Sequence, residues 1–172
     1  SAGPCHLSKL ANLKIIDTGI EHGTVTLVSD KHKVELTTLR KDIKTDGRHA
    51  EVEYTDDWKQ DSERRDFTIN AMAMDIRPSS FGVLTDPYGG ITHIQKKVIK
   101  TPLDPDETFS EDPLRMMRAA YFASKLGFKI EEKCRRSMKK QSSRIDIVSK
   151  ERIRDEFIKI LSTEKPSIGL VI

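Results

Sequence analysis

The sequence predicts an α+β fold, with a strand-rich first part to about Lys100 and an all-helical second part. Three observations carry this. Thr24-Val25-Thr26-Leu27-Val28 and Lys33-Val34-Glu35-Leu36-Thr37-Thr38-Leu39 alternate, are rich in β-branched residues and flank the polar turn Ser29-Asp30-Lys31-His32, which is a hairpin pattern. Thr101-Pro102-Leu103-Asp104-Pro105-Asp106 is proline-punctuated and reads as a linker, so the boundary falls between residues 1–100 and 101–172. Beyond the linker, apolar residues recur at helical spacing. The first part is expected to hold a mixed, mostly antiparallel sheet with helices.

In chain order, residues 14–17 form a short strand ahead of the hairpin. Val34, Leu36 and Thr38 share one hairpin face; Glu35 and Thr37 share the other. Residues 40–58 are polar and show no core face, so they read as a long mobile loop centred on Asp46-Gly47-Arg48. Residues 61–66 form a charged helical turn. The second half of residues 67–76 alternates small and large residues, as a strand packed under a helix does. Residues 82–85 pair back as a strand, and Asp86-Pro87-Tyr88-Gly89-Gly90 is a turn. A short helix over 91–96 and a brief strand over 98–100 follow. Helices are then expected over 110–126, 131–142 and 150–161. Ser110 caps the first and Gly127 stops it, while Ser149 opens the last. Residues 167–172 are apolar, with no stop signal.

A hydrophobic share of 36% against 33% charged describes a soluble, polar chain with no membrane-crossing run and no signal-peptide pattern. Cys5 and Cys134 read as free thiols of a reducing compartment. The expected location is therefore the cytoplasm, or the mitochondrion in a eukaryotic source. The five histidines show no ligand spacing. Net charge is +3, with the basic excess late in the chain, at Lys125, Lys129, Lys133, Arg135, Arg136, Lys139, Lys140 and Arg144. That cluster reads either as a phosphate-backbone footprint or as a solvated helix face.

Three clusters can carry chemistry. Asp112, Arg115 and Arg118 are spaced by three on the 110–126 helix and cover an arc of about 120°, so all three can face one ligand. An acceptor beside a donor matches the Watson–Crick edge of cytosine and adenine, which present an amino group next to a bare ring nitrogen. Uracil and guanine carry the inverse pattern, and a site built to hydrogen-bond rejects such a mismatch by roughly 10⁴-fold. A surface ion pair is the plainer reading of the same spacing. Arg64 and Arg65 beside Asp66 suit phosphates, or form a helix-end salt bridge. Asp86 is a turn former or part of a site. Neither a P-loop nor a dinucleotide fingerprint is present.

The order of these clusters is more specific than any one of them. Val-Glu-Leu-Thr-Thr-Leu-Arg with Glu35, Arg-Arg-Asp-Phe-Thr-Ile-Asn-Ala, Asp-Pro-Tyr-Gly-Gly, Glu-Asp-Pro-Leu-Arg-Met-Met-Arg and Ser-Lys-Glu-Arg-Ile follow one another over residues 13–161. This series resembles the class II tRNA nucleotidyltransferase (CCA-adding enzyme) and bacterial poly(A) polymerase family. The resemblance implies a partial nucleotidyltransferase head followed by a helical, RNA-binding neck. It implies that C and A residues from CTP and ATP are added to tRNA 3′ ends. Glu35 then corresponds to an active-site carboxylate beside the metals. Arg65, Asp66 and Asn70 correspond to the motif holding triphosphate and sugar. Asp112 and Arg115 correspond to the template selecting CTP and ATP, with Arg118 holding the nucleotide or its phosphates. Asp86, Gly89 and Gly90 correspond to a hinge-like turn, and Ser149, Glu151 and Arg152 to a motif bracing the neck. The loop at Asp46-Gly47-Arg48-His49-Ala50 resembles that of CCA-adding members.

The family's Asp-x-Asp pair, which binds two Mg²⁺, is absent from this sequence, as are the body and tail that grip tRNA. The expectation is therefore an incomplete chain, with nucleotide selection retained and the main Mg²⁺ ligands elsewhere. Two alternatives stand beside it. One is a poly(A) polymerase or partial CC- or A-adding enzyme, and the other is a non-catalytic RNA- or nucleotide-binding module.

Overall fold

The structure, a computed structural model, describes residues 14–19, 23–30, 32–45 and 50–171. The first three strands, β1 (Lys14–Gly19), β2 (Thr24–Val28) and β3 (Lys33–Thr37), form an antiparallel sheet in that order. Thr26 on the central strand is fully buried, and Glu35 lies opposite it in register on the exposed edge strand β3.

Residues 40–58 are not the long loop expected. They form a second antiparallel hairpin, β4 (Arg40–Thr45) and β5 (Ala50–Tyr54), followed directly by α1 (Trp58–Glu63). The pairing rests on backbone hydrogen bonds, which a polar sequence does not oppose, and for that reason hydrophobic patterning does not reveal it. The loop residues 46–49 lie outside the described residues, as does Cys5. Asp57 caps α1 by accepting from the Lys59 amide at 2.8 Å.

A 3-10 turn at Thr68–Asn70 leads to the two-residue strands β6 (Ala73–Met74) and β7 (Leu84–Thr85), which pair as expected. The helix α2 (Gly90–Gln95) starts where Asp86 accepts from the amides of Gly90 and Ile91. A Cβ on Gly90 would stand 2.4 Å from the Thr68 carbonyl oxygen, so only glycine lets α2 sit against the 3-10 turn.

The helix expected over 110–126 is two helices, α3 (Pro105–Glu111) and α4 (Leu114–Leu126). Asp112 between them is extended (φ −140°, ψ 99°), as a residue before proline prefers. Ser110 therefore lies inside α3, and Asp104 caps that helix by accepting from the Asp106 amide at 2.8 Å. On α4, Leu114, Met116, Ala119, Ala120 and Ala123 are buried, while Met117 and Tyr121 are half-buried. Small residues on this face let neighbouring helices approach α4 closely. Gly127 ends α4 with φ +66°.

Two further elements were not expected from the sequence. Strand β9 (Lys129–Ile130) pairs in parallel with β8 (Val98–Ile99), and α7 (Pro166–Leu170) packs on α4. Helices α5 (Glu132–Gln141) and α6 (Lys150–Leu161) lie as predicted. The core joins Phe67 and Ile99 from before the proline-rich stretch to Phe109, Met116, Ala119 and Cys134 from after it. Among the described residues no helix is long and apolar enough to cross a membrane.

Candidate functional site

One cleft of about 530 Å³ is lined by Arg64, Arg65, Asp66, Asn70, Asp112, Arg115, Arg118 and Phe122. Three separate stretches build it: the end of α1 with the following turn, the α3–α4 break, and the first three turns of α4. Seven of the residues singled out in the sequence, Arg64, Arg65, Asp66, Asn70, Asp112, Arg115 and Arg118, line this one cleft. Glu35 does not line it and stands exposed on β3.

The carboxylate of Asp66 is the organising group. Its Oδ1 accepts from the Phe67 amide at 2.8 Å and from Asn70 Nδ2 at 3.0 Å. Its Oδ2 accepts from Arg118 Nε at 2.8 Å and lies 2.6 Å from Arg118 Nη2. Those bonds use the roughly four acceptor sites of a carboxylate. Asp66 thus holds Asn70 and Arg118 in place. Arg118 also lies over the Phe122 ring, 5.5 Å from its centroid, and Phe122 packs edge-on against Phe67.

Asp112 and Arg115 stand side by side but do not bond through their side chains in the manner of a surface ion pair. Asp112 Oδ1 accepts from the Leu114 amide at 3.1 Å, and Oδ2 pairs with Arg152 Nη2 of α6 at 2.9 Å. Arg115 Nη1 donates to the Thr108 carbonyl and to Glu111 Oε2, while Nη2 donates to the Arg64 carbonyl at 2.6 Å. Each Asp112 oxygen retains a free lone pair, and Arg115 retains its Nε–H and one Nη2–H. The acceptor-plus-donor capacity needed to read a base edge survives, with both groups fixed by protein bonds.

Arg64 and Arg65 are not loose cations either: both grip the buried Asp61. Asp61 and Phe122 were not read as parts of the site, although spacing marks both. Asp61 stands three and four residues before Arg64 and Arg65, and Phe122 stands four after Arg118. Four guanidinium groups line the cleft beside the carboxylates of Asp66 and Asp112, with Asp61 and Glu111 as further counter-charges, and the N–H groups that these pairs leave over suit phosphate.

The turn at Asp86 is tied to α1 by Tyr88, which donates to Glu63 at 2.8 Å. Burial and that carboxylate push the Tyr88 hydroxyl up to about 12. Ser149 caps α6 by accepting from the Arg152 amide, which places Arg152 for its bond to Asp112. Much of the basic cluster is neutralised by acids distant in sequence or one turn away. Lys133 pairs with Asp104, Lys140 with Asp106, and Arg135 and Arg136 with Glu132. Burial of Cys134 pushes its thiol up.

Among the described residues no three His, Cys, Asp or Glu side chains group as cation ligands. These residues do not by themselves fit a two-metal centre.

A family model described as the poly A polymerase head domain matches residues 2–100. The chain belongs to that family. A second model, "Probable RNA and SrmB- binding site of polymerase A", matches residues 127–171. The chain is 39% identical over 172 residues to the CCA-adding enzyme of Pediococcus pentosaceus, covering 99% of this chain and 42% of the relative. It is 41% identical over 150 residues to that of Enterococcus faecalis, covering 86% of this chain and 36% of the relative. The crystal structure of the Bacillus stearothermophilus CCA-adding enzyme in complex with CTP superposes with a TM-score of 0.80 at 36% identity, over 91% of this chain and 37% of that one. A tRNA nucleotidyltransferase complexed with a primer tRNA and an incoming ATP analog superposes at 0.81 and 28% identity, over 96% and 46%. The α+β head-and-neck fold expected of this poly(A) polymerase head-domain chain is thus observed. The chain spans about two fifths of the length of the curated relatives it matches.

Proposed function

We propose that this chain is the nucleotide-selecting part of a CTP(ATP):tRNA nucleotidyltransferase, which adds C and A residues to tRNA 3′ ends. The observation that supports this best is the cleft itself. It sets the base-reading groups of Asp112 and Arg115 beside a cluster of phosphate-suited arginines. The names of its relatives, and the CTP and ATP-analog complexes among its structural neighbours, point the same way. Residues 1–100 serve as the nucleotidyltransferase head and residues 101–172 as the neck.

In this reading Asp112 accepts from the amino group of cytosine or adenine, and Arg115 donates to the adjacent ring nitrogen. Arg65 and Arg118 take phosphate oxygens, and Asp66 with Asn70 aligns the sugar end. Phe122 and the fixed hydrogen bonds behind these groups keep them from rotating toward a uracil or guanine edge. Mg²⁺ is the cofactor of this reading, and the described residues alone do not supply its two-metal centre. Glu35 is the catalytic carboxylate of this reading, and no described residue is assigned as a metal ligand. The partners are tRNA, CTP and ATP, and the working compartment is the cytoplasm, or the mitochondrion in a eukaryote.

The test is binding of CTP, ATP, UTP and GTP to this chain and to Asp112→Ala. Binding of CTP and ATP alone, with the preference lost in the variant, is expected. Equal binding of all four nucleotides, or of none, overturns the reading.

A further inference from the structure

We propose that Asp61 is a positioning residue of the cleft, a carboxylate that does not line it but holds Arg64 and Arg65, which do. The proposal rests on the nucleotide reading above. Asp61 is 1% exposed, on a short helix whose other residues are mostly in contact with water. A buried, ionised carboxylate is costly unless every lone pair is met by a strong donor. Here they are. Oδ2 receives both Arg65 Nε at 3.0 Å and Nη2 at 2.9 Å, two charge-assisted bonds on one oxygen. Oδ1 receives Arg64 Nε at 3.2 Å, Arg64 Nη2 at 3.1 Å, and the backbone amide of Arg40 at 3.1 Å.

Three consequences follow from that geometry. Two adjacent guanidinium groups that would otherwise repel each other share one counter-charge and are held at fixed angles. Arg65 is also stacked on the Trp58 ring, 4.6 Å from its centroid, so one face of its guanidinium is covered. The Arg40 amide ties the start of the β4–β5 hairpin to the same carboxylate. Asp61 thus links that hairpin to the phosphate side of the cleft, while the Arg64 carbonyl supports Arg115 on the base side.

A clamp on the phosphate side predicts a selective defect. In Asp61→Asn, which keeps the shape and one acceptor, the Kd for CTP is expected to rise about ten-fold, on the order of one charge-assisted hydrogen bond. The Kd for CMP and the CTP-over-UTP preference are expected to stay within about two-fold, which a general loss of structure would not produce. The Nε–H signals of Arg64 and Arg65 in ¹⁵N NMR are expected to exchange slowly with water in the parent chain and quickly in the variant. CTP binding and Nε–H protection equal to the parent's would overturn the clamp and leave the cleft reading standing. A parent chain that binds neither CTP nor CMP overturns both. If Asp61→Asn does not fold, Asp61→Asn/Arg64→Gln, which restores the net charge of the cluster, is compared with Arg64→Gln alone. A ten-fold gap in CTP affinity supports the clamp, and no gap overturns it.

Discussion

Arg118 Nη2 lies 2.6 Å from Asp66 Oδ2, a contact that joins α4 to the turn after α1 across 52 positions of sequence. The contact makes the cleft one object, because neither stretch positions the other through covalent proximity. Arg118→Ala leaves Asp66, 9% exposed, short of two donors. The expected cost is about 1–3 kcal/mol of stability, read as a drop of about 2–4 °C in Tm per kcal/mol. Arg118→Lys should not restore it, because a single ammonium cannot reproduce the Nε and Nη2 fork.

Arg152 bonds Asp112 from α6, at 2.9 Å and 40 residues away. Arg152→Gln frees one Asp112 oxygen to rotate. CTP and ATP affinity should fall by about three- to ten-fold, with most of the loss in base preference rather than in phosphate binding. Competition binding of CTP against UTP measures this directly.

Gly90→Ala forces a methyl against the Thr68 carbonyl oxygen, which the backbone cannot yield without moving α2. A destabilisation of about 1–3 kcal/mol is expected, visible in thermal or urea unfolding. Gly127→Ala is the control: nothing lies within 4 Å of its Cβ position, so only its φ of +66° resists, at about 1 kcal/mol.

His93 Nδ1 bonds the Thr68 hydroxyl at 3.0 Å. Burial first, and then Lys100, lowers its pKa from 6.5, while Glu131 and Asp86 oppose the shift. The folded state therefore holds its proton less tightly than the unfolded chain. The stabilisation is present above pH 6.5 and is lost as pH falls below it. Tm should decline on acidification from pH 6.5, before the carboxylates titrate, and His93→Gln should flatten that part of the profile.

Phe109 is fully buried and belongs, with Ile99 and Cys134, to the cluster that spans the proline-rich stretch. Phe109→Ala should cost about 3–5 kcal/mol. Loss of signal dispersion on both sides of Thr101 in the variant would show that the two stretches fold as one cooperative unit.

Much of this was legible before any coordinates. The hairpin around Ser29-Asp30, the helices over 132–141 and 150–161, and the Asp86–Gly90 turn follow from alternation, period and turn chemistry, which are local properties of the chain. The β4–β5 hairpin and β9 were not legible, because their stabilising partners are backbone groups elsewhere. The break at Asp112 could have been read from Pro113, whose preceding residue avoids the helical region.

The residue types of the site came from sequence alone: two adjacent arginines with an aspartate, and an aspartate with an arginine three residues on. What each does was decided by the fold. Asp112 is held by Arg152 and not by Arg115, Asp66 holds Arg118, and Asp61 holds Arg64 and Arg65. Sequence spacing says which groups can share a helix face. Which carboxylate a guanidinium takes depends on distances set by packing, where a buried charge must find a partner and the nearest donor in space wins.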